Sequence, residues 1–149
     1  MKGEMRVTSI FLLATLVLAM TPLCANARNV PLRYTRRLPQ IDRVELQKVQ
    51  SGELGIGSIL ATKIIEGKQA QTFAALWRMQ KFRSMVPDCH QPGFAIKFYA
   101  RGKLLLYASL CWDCDNIEFL EPRLGGYQGF NGSSRKGRAL LALLQNSFS

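Results

Sequence analysis

The stretch FAIKFYARGKLLLYASLC, residues 94–111, decides the fold. Two strand-like apolar runs flank Arg101-Gly102, a connection short enough for a hairpin turn, where glycine takes positive φ at no steric cost. Working outward, IEFLE (117–121) predicts a third strand, and PRLGGYQGFNGSS (122–134) reads as a glycine-rich loop. Ser133 or Ser134 then caps a helix whose Leu140, Leu141, Leu144 and Phe148 share one face. Gly137 weakens that helix by about 1 kcal/mol relative to alanine.

Upstream, KQAQTFAALWRMQKF (68–82) predicts a helix, because Ala70, Phe73, Ala74 and Trp77 fall on one stripe. ILATKII (59–65) and the alternating IDRVELQKV (41–49) read as strands. Between them QSGELGIGS (50–58) reads as a loop; Gly52, Gly55 and Gly57 lack the order of a nucleotide-binding fingerprint. The expected fold is therefore α+β, a small antiparallel sheet in the order β-β-α-β-β-β-α packed against two helices.

Residues 1–27, MKGEMRVTSIFLLATLVLAMTPLCANA, have the charged start, short apolar core and small-x-small end of a cleaved signal peptide. Export, to a periplasm or to the exterior, follows as the expected localisation. Leu23 before Cys24 argues against a lipoprotein, and the polar flank of the apolar core argues against an uncleaved anchor. Residues 28–40 form a basic arm and 41–149 a single domain. Arg28, Arg33, Arg36, Arg37 and Arg43 face only Asp42 at the start of the mature chain, and a solvated arm is the expectation. Removing Lys2, Arg6 and Glu4 from 20 basic and 10 acidic residues leaves a net charge of +9. In an exported protein that charge points to an anionic envelope component or another exported protein, not to nucleic acid.

The cysteines left after export are Cys89, Cys111 and Cys114. With the turn at Arg101-Gly102, cross-strand partners sum to about 203, which sets Cys114 opposite Cys89 and brings His90 to the same end. Several chemistries fit that cluster. A disulfide from Cys89 to Cys111 or Cys114 would staple loop to sheet, contributing on the order of 3 kcal/mol, and would leave one odd thiol. Cys111 and Cys114 have C-x-x-C spacing and could exchange as a redox pair. Cys89, His90, Cys111 and Cys114 together are a donor set for zinc or copper(I). A cysteine nucleophile with His90 as base lacks an orienting third group, and Asp113, Asp115 and Asn116 read as turn formers. No cofactor is expected beyond those two metals.

The segment CHQPGFAIKFYARGKLLLYASLCWDCDNIEF, preceded by AALWRMQ, resembles a group of uncharacterised bacterial proteins, many of them exported. The resemblance rests on Cys89, His90, Pro92, Phe98, Tyr99, Cys111, Trp112, Cys114 and Asn116, with Leu76, Trp77 and Arg78 upstream, and spans about residues 70–121. It implies a shared cysteine-bearing sheet and a bacterial source, and carries no catalytic assignment. The sequence thus predicts a non-enzymatic binding or structural module with a stapled hairpin; the alternative is a thiol redox or zinc- or copper-binding protein.

Overall fold

The computed structural model describes residues 31–53, 55–83, 89–125 and 127–149. The expected signal peptide, Cys24 and Arg28 lie outside these residues. Among them, no helix is long and apolar enough to cross a membrane.

A 3-10 turn, Leu32–Tyr34, is followed by β1 (Arg43–Gly52), β2 (Gly55–Glu66), α1 (Gly67–Arg78), β3 (Phe82–Arg83), β4 (Phe94–Ala100), β5 (Lys103–Cys111), β6 (Asn116–Glu121), β7 (Tyr127–Phe130) and α2 (Arg135–Asn146). The protein is α+β, with one antiparallel sheet in the order β2-β1-β4-β5-β6-β7-β3 and two helices. The expected five strands are seven. The predicted helix ends early, at Arg78; Phe82, its expected last residue, pairs with Phe130, and Arg83, which follows it, pairs with Gly129. Tyr127–Phe130, read as part of a loop, forms β7. Both strands are short, and their pairing joins residues nearly fifty apart, so local periodicity does not mark them. The loop expected over 50–58 shrinks too, because β1 runs to Gly52 and β2 restarts at Gly55.

Alternation along the strands sorts the side chains. Val44 and Leu46 from β1, Ile96 and Phe98 from β4, and Leu106, Ala108 and Leu110 from β5 are buried with Ala70, Phe73, Ala74 and Trp77 of α1 and Leu140 and Leu144 of α2. Trp77 sits at the centre, its ring 5.4 Å from Phe98, 5.8 Å from Phe82 and 6.2 Å from Phe119. Its indole N–H donates to Tyr34 O at 2.8 Å, so the largest apolar side chain also ties down the segment before β1. Arg78 adds bonds to Leu38 O (2.7 Å) and Pro39 O (2.6 Å). Residues 31–40, expected as a solvated arm, thus dock on α1 with Thr35 and Leu38 buried, while Arg33, Arg36 and Arg37 remain exposed. Arg43 belongs to β1 and lies over the Tyr99 ring, 4.0 Å from its centroid.

The β4–β5 hairpin turns at Arg101 and Gly102, both with positive φ (51° and 72°), the geometry that matches the right-handed twist of its strands. Ala100 pairs with Lys103 and Tyr99 with Leu104. A bulge between Phe98 and Tyr99 then slides the register by one residue, so Phe94 pairs with Leu110. The far end of this hairpin carries the cysteines.

Candidate functional site

Chain order and register build a cluster of three sulfurs. Cys111 ends β5, the turn Trp112-Asp113-Cys114-Asp115 folds back so that Asp115 N–H donates to Trp112 O at 3.2 Å, and Asn116 opens β6 opposite Cys111. Asp115 takes φ of 50° in that turn. On the other side, Gly93 N–H donates to Leu110 O at 3.2 Å, aligning the segment 89–93 with the end of β5. Cys89 Sγ comes to 2.8 Å from Cys114 Sγ, and the Cys114 amide donates to Cys111 Sγ at 3.2 Å.

The three thiols have different surroundings. Cys111 is 0 % exposed; burial, reinforced by its hydrogen bond to Cys114, pushes its thiol up to about 11. Cys114 is 5 % exposed, and burial pushes its thiol upward as well. There, hydrogen bonds from Cys111, Cys89 and the Gln91 amide outweigh burial and hold Cys114 below the ordinary thiol range. Cys89 is exposed. The Cys-x-x-Cys pair therefore has a buried, protonated first member, whereas a reactive thiol is partly exposed and readily ionised. Access from solvent runs through Cys89.

His90 follows Cys89 in sequence but turns elsewhere. Its Nδ1 lies 2.6 Å from Asn116 Oδ1 and its Nε2 2.7 Å from Ser109 Oγ. Since Asn116 Oδ1 can only accept, Nδ1–H donates to it, and Nε2 accepts the Ser109 hydroxyl proton. The ring stacks on Tyr127 at 4.7 Å, and Glu118 Oε2 stands 3.9 Å from Nε2. Asn116 also donates through Nδ2 to Cys89 O at 2.5 Å. Asn116, expected as a turn former, is therefore the hinge-pin between the histidine network and the cysteine segment. Both ring nitrogens of His90 are thus hydrogen-bonded to Asn116 and Ser109 rather than directed at the three sulfurs. Among the described residues no group of three or more His, Cys, Asp or Glu side chains is arranged to hold a metal ion. The serine, histidine and asparagine line up as a hydroxyl, base and orienting group would, yet Ser109 and the imidazole are both sealed from solvent. The arrangement satisfies buried polar groups.

The helix-free face of the sheet carries a second network. Lys97 Nζ donates to Glu45 Oε1 at 2.8 Å, Gln47 Nε2 to the same oxygen at 2.8 Å, and Tyr99 OH to Glu45 Oε2 at 3.2 Å. Tyr107 OH donates to Gln47 Oε1 at 3.0 Å. The signal for these residues was present in the sequence, as polar side chains at every second position of strands whose other positions are apolar. No such signal exists for the Gln91 amide. A broad hollow of about 1500 Å³ lies at the turn end of the β4–β5 hairpin, lined by Asp42 and Glu66 together with Arg43, Arg101 and Lys103; none of the cysteines lines it.

β2, an edge strand, completes the inventory. Ile59, Leu60 and Ile64 are 52 %, 57 % and 57 % exposed, three of the six large apolar side chains that stand in solvent among the described residues.

Comparison with known proteins finds no match to this chain among family models, curated proteins or solved structures.

Proposed function

We propose that this chain is an exported, non-enzymatic module that binds an extended segment of another polypeptide along β2, with a Cys89–Cys114 disulfide stapling its cysteine end. The observation that carries the binding reading is the exposed β2 edge: twelve residues long, apolar at Ile59, Leu60 and Ile64, and uncharged from Gly55 to Thr62. An outer strand presents unpaired backbone N–H and C=O groups along one side, and an added strand satisfies them. Charge selects the partner. Two copies of an exported chain carrying +9 repel, so a neutral or acidic strand fits this edge better than a second copy. The staple is supported by the 2.8 Å approach of the Cys89 and Cys114 sulfurs, and the leftover Cys111 behaves as a small buried apolar residue.

Two synthetic strand peptides test the reading, one alternating valine with glutamate and one alternating valine with lysine. The protein alone should sediment as a monomer, and the acidic peptide should slow amide exchange in β2, with the lysine peptide much weaker. Ile59→Glu combined with Ile64→Glu, which removes the apolar contact and repels the acidic peptide, should abolish the effect without unfolding the protein, since both side chains are exposed. Self-association through β2, or no response of β2 to either peptide, overturns the proposal.

A further inference from the structure

We infer that the Cys89–Cys114 pair is a modification site for small thiols: a thiolate attacks Cys89 Sγ, the disulfide opens, and Cys114 leaves as the thiolate. The inference rests on the proposed staple and deepens it. Electrons and atoms balance without any further reagent. The incoming RS⁻ forms a new S–S bond to Cys89, the Cys89–Cys114 bond breaks, and its electron pair stays on Cys114. In the reverse step, Cys114 attacks Cys89 and expels RS⁻.

Three features give the exchange its direction. The first is access, because Cys89 is exposed whereas Cys114 and Cys111 are buried, so a thiolate reaches only the Cys89 sulfur. The second is the leaving group. In the structure, where Cys89 and Cys114 are both reduced, the Cys111 thiol and the Gln91 amide hydrogen-bond Cys114 Sγ. A better-stabilised leaving thiolate departs faster. The third is retention. Asn116 Nδ2 holds Cys89 O at 2.5 Å, so the opened Cys89 stays over Cys114 and closure remains intramolecular. Cys111 is a positioning residue in this scheme: burial keeps its thiol protonated, and it acts by donating to Cys114.

The odd cysteine thereby acquires a task that the staple alone does not give it.

The test uses the folded, oxidised protein with reduced glutathione, quenched by alkylation and read by peptide mass spectrometry. With the quench made in denaturant, glutathione should appear on Cys89 and the alkyl group on Cys114 as well as on Cys111, which is alkylated before and after opening alike. Cys111→Ala should slow opening by about tenfold through the lost hydrogen bond to the leaving thiolate, and Cys111→Ser, which keeps a donor, should restore much of the rate. Glutathione on Cys114, no adduct while the disulfide is present, or equal rates in the alanine and serine variants overturns the inference. The reverse arm treats reduced protein with oxidised glutathione. A protein that keeps glutathione on Cys89 without closing to Cys89–Cys114 loses both the staple and the exchange, whereas one that closes but cannot be reopened loses only the exchange.

Discussion

Replacing Gly137 by alanine should destabilise the protein, although the helix rule says the opposite. Gly137 is the third residue of α2, and in an open helix alanine there gains about 1 kcal/mol. In this fold the added Cβ would stand 2.5 Å from Asn131 O and 2.7 Å from Gly132 C, with Gly132 O closer still. Those are backbone atoms and cannot swing aside. Relief needs a shift of about 1 Å between α2 and the segment 131–132, an overpacking strain of roughly 1–3 kcal/mol. The same shift stretches the cap, in which Gly137 N–H donates to Ser134 Oγ at 3.0 Å, a bond worth about 1 kcal/mol. Strain and a weakened cap together outweigh the propensity gain, leaving a net loss of roughly 1–3 kcal/mol. Urea denaturation with an unchanged slope should report that loss, and a 2 kcal/mol effect should lower Tm by roughly 6–12 °C. An alanine variant as stable as the parent, or more stable, would refute the close packing of α2 on the 131–132 segment.

Glu45→Gln tests the network on the helix-free face. Burial raises the Glu45 carboxyl, but the hydrogen bond and charge of Lys97, with Tyr99 and Gln47, bring it below its ordinary value of 4.5. A lowered carboxyl contributes stability above its unfolded value and loses it as pH falls through the folded one. Burial likewise lowers Lys97, and Glu45 more than reverses this, so its contribution holds below 10.5 and is lost as pH rises through the raised value. The variant should be about 1 kcal/mol less stable at pH 7 and equal to the parent near pH 2; an identical deficit at both pH values refutes the pairing. Cys89→Ser should cost the oxidised protein about 2–4 kcal/mol, the value for closing a loop between residues 25 apart, and nothing under reducing conditions. An equal loss with reductant present would show that Cys89 acts through packing instead.

The sequence by itself determined what repeats along the chain. The stripe of Ala70, Phe73, Ala74 and Trp77 predicts α1 because a helix buries one side in four, and all four are buried. The Arg101-Gly102 turn predicts the hairpin, and counting residues outward from it brings Cys89 near Cys114 even though a bulge slides the intervening register. Tertiary structure decided what depends on elements distant in sequence. β3 and β7 exist because Phe82 meets Phe130 across the sheet, and neither segment is long enough to declare a period of its own. Counting also carried His90 toward the sulfurs, but only the placed β5 and β6 could show Ser109 and Asn116 taking both its nitrogens. The differing characters of Cys111 and Cys114 come from burial and from the Gln91 amide, a backbone group with no signature in residue type. Gly137 shows the same division: its helix propensity is local, but the carbonyls that exclude a side chain there arrive with the packed chain.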